Sequence, residues 1–431
     1  MHLNFFDLRK QIVHLRSKLV VNAGYLWLIS ITGALSGYIF WVLAARFNLP
    51  AEIGLSSSGI SVTQLLSGIA LLGLGSGLVR YIPETESVER LINSAINITI
   101  LTSGLTSLVY ILGLSFWSPG LASLVQTPMN VGVFIVLVIV TTTNTILQMV
   151  FLGFRQVIYA FWSIIILNIV RLFFILVFGR FGPMGIMGSV VFGCLVSNLV
   201  GIFAFLPRVK IGYKYSTNLV FPKFINIVVY SSGNFIADLL SHLPVVLAPV
   251  IALERFGSAQ SAHSYVAWMI GSVIAGPGLA FSQSSFAEGS HSPAELPKVV
   301  YRAGVYTMLI TVLISFVIFI GAGLAVLPFG PEYAGSTVKL LRWLSLSAPF
   351  VALNGLFFSI YRILKKIKFL IILSLLIFLI TIFSGLLRIE NLGIISMGVG
   401  WFISQVAVFI ICVGWLAMNR KQFMRISIIN K

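Results

Sequence analysis

Asp238 and His242 stand four residues apart inside the run 222–252, which is long and apolar enough to cross a bilayer. That spacing puts a carboxylate and an imidazole on one face of a helix. Asp238 is the acidic residue placed well inside the hydrocarbon, where a charge is costly and marks a functional site by default. One reading is a protonatable or cation-binding pair that faces a central cavity and couples transport to H+ or Na+. The other is a structural group, hydrogen-bonded to a neighbouring helix or to Arg171. Pro244 and Pro249 interrupt the same run.

Arg171, in Leu167-Asn-Ile-Val-Arg171, is the deep cation. A lipid-facing arginine there is too costly, so it must face a cavity or pair with a carboxylate, for which Asp238 is the intramembrane candidate. Its guanidinium fork suits phosphate oxygens; a buried ion pair is the structural alternative. Asn168, three residues earlier, shares its face. Further amides are spread through the apolar runs: Gln64, Asn144, Gln148, Asn198, Asn234, Gln283, Asn354 and Gln405. Singly, such groups bond neighbouring helices; together they indicate a polar interior, with Gln64 and Asn234 as further cavity candidates.

These side chains are carried by a chain of 431 residues, 58% hydrophobic and 9% charged, with mean hydropathy +1.04. Apolar runs recur along its whole length, as in an all-α polytopic membrane protein. The alternating pattern of a β-barrel is absent. About twelve spans are expected, near 20–46, 53–80, 91–116, 131–152, 158–178, 185–206, 222–252, 260–286, 301–327, 336–362, 367–387 and 393–418. The net charge of +17 lies mostly between the runs, on one side. That side carries 21 of the 28 Lys and Arg residues, which places both termini in the cytoplasm and requires an even span count. Residues 1–19 read as an amphipathic cytoplasmic segment, not a cleaved signal, and 420–431 as a basic tail. Cys194 and Cys412 lie inside apolar runs and point to no disulfide.

Gly73-Leu-Gly75-Ser-Gly77 follows no strand and precedes no Lys-Ser/Thr, so it is no nucleotide loop. Gly33-Ala-Leu-Ser-Gly37 reads as a close helix-packing motif. The five histidines have no metal-ligand spacing with acidic residues, and no paired carboxylates or nucleophilic triad are present. No cofactor is expected.

The two halves are alike. Arg46-Phe47 and Arg255-Phe256 are 209 residues apart, each followed by a short turn and a Ser/Gly-rich span. Residues 20–210 and 211–419 are therefore read as two parallel six-helix repeats. The segments Arg46-Phe-Asn-Leu-Pro-Ala-Glu-Ile-Gly54 and Gly75-Ser-Gly-Leu-Val-Arg-Tyr-Ile-Pro-Glu84 resemble the first two helices of polysaccharide biosynthesis membrane proteins. These are lipid-linked oligosaccharide flippases, similar to O-antigen flippases, of the multidrug/oligosaccharidyl-lipid/polysaccharide exporter superfamily. Ser285-Phe-Ala-Glu-Gly-Ser-His291 resembles the stretch after that family's eighth helix, and Phe329-Gly-Pro-Glu-Tyr-Ala334 its outer loop between helices nine and ten. The resemblance implies two six-helix bundles around a central cavity, open to each side in turn. It also implies transfer of a polyprenyl-diphosphate-linked glycan to the outer leaflet of the cytoplasmic membrane, with glycosyltransferases or a polymerase of the same pathway as partners. Arg171 would contact diphosphate or an acidic sugar, and Asp238, with His242, would switch charge. The runner-up is an ion-coupled multidrug exporter of the same superfamily. A membrane glycan polymerase or glycosyltransferase is disfavoured, because every loop is short.

Overall fold

A computed structural model describes residues 5–85, 87–217, 224–291, 296–364, 366–387 and 392–419, except the side chains of 5–24, Trp27, Ser76, 224–234, 277–291 and 296–303. Among the described residues twelve helices have nineteen residues or more. In the first half they are α1 (Phe5–Phe47), α2 (Pro50–Ala70), α3 (Val88–Leu112), α4 (Pro128–Gly153), α5 (Val157–Phe178) and α6 (Gly182–Val200). In the second they are α7 (Phe224–Phe256), α8 (Ser258–His291), α9 (Leu296–Val326), α10 (Ser336–Ile363), α11 (Ile367–Leu386) and α12 (Ile395–Met418). The chain is an all-helical polytopic membrane protein, because only intrasegment hydrogen bonding satisfies a single-chain backbone in lipid without a closed barrel.

The halves repeat one packing plan. In the first, α1 lies on α5, α2 on α4, α3 on α4, α4 on α6, and α5 on α6. In the second, α7 lies on α11, α8 on α10, α9 on α10, α10 on α12, and α11 on α12. Even a buried polar cross-link recurs. Asn144 of α4 donates to Asn198 of α6 at 3.1 Å, and Asn354 of α10 donates to Gln405 of α12 at 2.8 Å. Several of the scattered amides thus join neighbouring helices of one half.

α1 runs unbroken from Phe5 to Phe47, so residues 5–19 and the first span belong to one helix. α2 ends at Ala70 because Leu72 and Gly73 both take positive φ, 50° and 77°, before the chain resumes helix at Leu74–Tyr81. Gly73 tolerates that conformation without the penalty a Cβ brings. The glycine cluster therefore breaks the second span in mid-course. The Gly33/Gly37 pair is not a tight packing seam: nothing lies within 4 Å of a Cβ built on Gly33, and Gly37 faces the Arg171 guanidinium. Between the halves, residues 211–217 lie along the start of α3. Tyr213 donates to Asn93 Oδ1 at 2.6 Å, and Tyr215 to Asn97 Oδ1 at 2.6 Å. Burial pushes the Tyr213 phenol up, which keeps it a donor.

The halves meet mainly through α2, which packs on α7 and α8. Its Ser56, Ser57, Ser58, Ser61, Thr63 and Ser67 are all buried. Most of these hydroxyls that bond locally turn back to the preceding helical turn, as Ser57 does to Gly54 O at 3.1 Å and Thr63 to Ile60 O at 2.7 Å. Ser58 is different, because it reaches across to Ser261 Oγ at 2.7 Å and Pro249 O at 3.1 Å. Gly54 is required beside it, since an added Cβ would overlap the Ser258 carbonyl. Nearby, the Gly120 amide donates to Glu254 at 2.9 Å. These contacts close the end holding the Phe47–Pro50 and Phe256–Ser258 turns, the end that charge bias assigns to the outer side.

Candidate functional site

A cavity in the second half, of about 360 Å³, is built by the faces of α7, α8, α10, α11 and α12. α7 contributes Asp238, Ser241, His242 and Val245, the i, i+3, i+4, i+7 set of one helical face. The expected shared face of Asp238 and His242 is therefore present, and both side chains are exposed to the cavity mouth. Ser241 links to Ser374 of α11 at 2.9 Å.

Asp238 does not face Arg171. It forms an ion pair with Arg362, in the last turn of α10 within the same half. The sequence reading ended a span at residue 362 and did not name Arg362 among the site candidates; the helix runs to Ile363. Asn354, Phe358 and Arg362 then follow at four-residue spacing on the face that lines the cavity. That spacing was the available signal. Deeper in, Trp268 of α8 meets Trp401 of α12 edge to face, ring centroids 5.2 Å apart. Neither tryptophan was singled out from sequence, because an indole in an apolar run looks like packing.

The first half holds a smaller cavity, about 180 Å³, lined in part by Gln64, Thr141, Asn144, Arg171, Cys194 and Tyr265. Arg171 donates to Ser36 Oγ at 3.1 Å and lies over the Phe40 ring at 5.2 Å. Its Nε is buried without a hydrogen-bond partner. Among the described residues no carboxylate lines this cavity. Gln64 lines it as well. Asn168 is buried at 5% exposure with its amide nitrogen unpartnered, and lines neither cavity. Asn234 falls in α7, but its side chain lies outside the described residues.

α8 is the wall common to both cavities: Tyr265 lines the first-half cavity, Trp268 the second. A third hollow, about 590 Å³, runs between the halves at the Phe47 end and is walled mostly by aliphatic side chains of α2, α7 and α11, with Tyr110, Trp117, Glu254 and Arg255. His263 belongs to none of these. It bonds Thr337 at 2.8 Å and packs on Tyr333, tying α8 to the 329–334 turn.

The sequence matches no protein-family model and no curated protein. Solved structures do match its fold. One is the lipid II flippase MurJ in an inward closed conformation, with TM-score 0.70, 14% identity, 95% of this chain and 90% of that one covered. Another is an inward-facing multidrug resistance MATE family transporter of the MOP superfamily, with TM-score 0.69, 14% identity and coverage of 91% and 96%. A third is a MOP superfamily transporter from Pyrococcus furiosus described by the reverse polarity of its binding pocket, with TM-score 0.65, 16% identity and coverage of 95% and 97%. At such identities the likeness establishes architecture alone: the chain has the all-helical membrane fold that these structures share.

Proposed function

We propose that this protein is an alternating-access flippase, moving a polyprenyl-diphosphate-linked oligosaccharide from the cytoplasmic to the outer leaflet of the cytoplasmic membrane for surface polysaccharide biosynthesis. The observation that supports this is the Arg171 guanidinium in the first-half cavity, with its Nε buried without a hydrogen-bond partner and no carboxylate among the described residues that line the cavity. A buried cation with no carboxylate beside it costs several kcal/mol, so the site favours an anionic ligand group. At about 180 Å³ the cavity has room for a phosphate group and not for a whole headgroup.

Asp238, the carboxylate of the second-half cavity, is held by Arg362, so that cavity offers a cationic drug no free carboxylate, whereas Glu254 lines the third hollow. Coupling to H+ or Na+ through Asp238 would therefore require Arg362 to let go in another state of the cycle. In this reading both termini lie in the cytoplasm, and 1–210 rocks against 211–431 about the α2 contacts.

The test is a deletion strain assayed for lipid-linked glycan held in the inner leaflet. The intact gene should clear that accumulation and Arg171→Ala should not, at equal protein level. Clearance by Arg171→Ala, or no accumulation at all with efflux of a fluorescent cationic drug from vesicles instead, would sink the proposal in favour of the multidrug exporter.

A further inference from the structure

The hollow between the halves at the Phe47 end is an apolar groove with a charged mouth. It follows α7 from Leu247 to Arg255 and α2 from Val62 to Ile69. At 1.5 Å of rise per residue the α7 wall is about 12 Å long. That is most of one leaflet, half of a ~30 Å hydrocarbon core. Val62, Leu66 and Val250 are buried and form the floor, whereas Ile69 and Leu386 at the edges are 38% and 36% exposed. The groove is therefore open at the surface, and in a chain that spans a bilayer that surface meets lipid. Water needs two to four polar partners, which aliphatic walls do not offer. An empty groove would forfeit the dispersion contacts of its lining. A hydrocarbon chain meets both conditions.

A chain is no better solvated in the groove than among its neighbours in the bilayer, so selectivity must come from the mouth. Trp117 stands there, 54% exposed, as indoles do at head-group level. Glu254 and Arg255 stand beside it, both exposed. They are consecutive on α7, so they do not face each other. Among the described residues Arg255 has neither an ion pair nor a hydrogen bond. Glu254 accepts from the Gly120 amide at 2.9 Å, which leaves most of its acceptor sites open and its charge uncompensated. An anionic head group would suit Arg255 and be repelled by Glu254. A head group carrying phosphate and ammonium together suits both.

From these observations we infer that the hollow is a phospholipid site, holding one acyl chain of an ethanolamine phospholipid, with its phosphate on Arg255 and its ammonium on Glu254. α2 and α7 belong to opposite halves, so the lipid bridges them. Rocking that changes their spacing changes its affinity, and by linkage the bound lipid biases the position of the halves. The site is separate from the Arg171 cavity and does not depend on what is transported.

Native mass spectrometry of the delipidated full-length protein in detergent tests it. The probes are palmitoyl-oleoyl phosphatidylethanolamine and the matching phosphatidylglycerol. The ethanolamine lipid should bind one site about fivefold tighter, the worth of a partly exposed ion pair. Glu254→Gln, which keeps an acceptor for Gly120, should bring the two lipids within about twofold. Arg255→Gln should weaken both about fivefold. Ile69→Trp, at the exposed edge, should narrow the groove and weaken both severalfold without altering the preference. An unchanged unfolding midpoint in lipid-free detergent shows each variant to be folded. Equal affinity for the two lipids, a preference that survives Glu254→Gln, or binding untouched by Arg255→Gln or Ile69→Trp overturns the site. Displacement of the ethanolamine lipid by an equal concentration of farnesyl diphosphate assigns the groove to a prenyl chain and overturns the phospholipid.

Discussion

Tyr265 and Trp268 lie three residues apart on α8 and line different cavities, one beside Arg171 in the first half and one beside Asn354 in the second. A helix of the second bundle thus completes a cavity of the first. Trp41 of α1 packs on Tyr265, ring centroids 4.6 Å apart and planes tilted by 58°, and both line the Arg171 cavity, so the α1–α8 seam and that cavity are one construction. Any relative movement of the halves must change the surroundings of Arg171.

Replacing that guanidinium by an uncharged chain of similar length separates charge from packing. Arg171→Met should weaken farnesyl diphosphate binding by about 10–100-fold, the worth of a charge-assisted hydrogen bond or two. Arg171→Lys should retain part of the affinity, since it keeps the charge and loses the fork. Titration calorimetry reads both. Equal affinity in Arg171→Met and the parent would remove Arg171 from the binding surface.

The Asp238–Arg362 pair predicts coupling within one half. Asp238→Asn and Arg362→Gln should each lower the thermal unfolding midpoint in detergent, and the double variant should be less destabilised than the sum. The expected coupling is about 1 kcal/mol, because both side chains are partly accessible and the pair is screened. The same cycle run on Asp238 and Arg171 should return additive effects.

Ser58→Cys with Ser261→Cys tests the closed end. The parent hydroxyls are 2.7 Å apart, so paired thiols there are close enough to bridge under mild oxidation. Transport should stop on oxidation and recover with reductant. Adding Gly54→Ala, whose new methyl meets Ser258 O, should slow the cross-link severalfold by forcing the helices apart. Undiminished transport by the fully cross-linked protein would show that this end never opens.

Asn144→Ala should destabilise the first half. It strips partners from Asn198, Ser197 and Gln148, whose bonds to Asn144 are 3.1, 3.1 and 2.7 Å long. Bonds between membrane helices are worth about 0.6–1.7 kcal/mol each, so a loss of roughly 1–3 kcal/mol is expected in the unfolding free energy.

Parts of the site were open to inspection in the sequence. Asp238 and His242 were placed on one face by helical period alone, and Arg171 and Gln64 were recognised as polar groups that lipid would not accept. Arg362 was missed because it stands at the end of its span, where a basic residue was counted toward orientation and not toward a site. Trp268, Tyr265 and Trp401 were hidden because hydropathy does not distinguish an aromatic ring facing lipid from one facing a cavity. Gly54 appeared only as the last residue of the 46–54 motif; its need arises from Ser258, some two hundred residues away.

Membrane class and the all-helical architecture were determined by the sequence, because burial in lipid acts on short windows of chain and simply accumulates. The partners of Asp238 and Arg171 were decided only in the tertiary structure. A residue's depth follows from its position in a span, but the direction it faces follows from how each helix is rotated when small residues, proline carbonyls and amide cross-links from distant spans interlock. That rotation turned Asp238 toward Arg362 in its own bundle and left Arg171 with a hydroxyl, an aromatic ring and an open cavity.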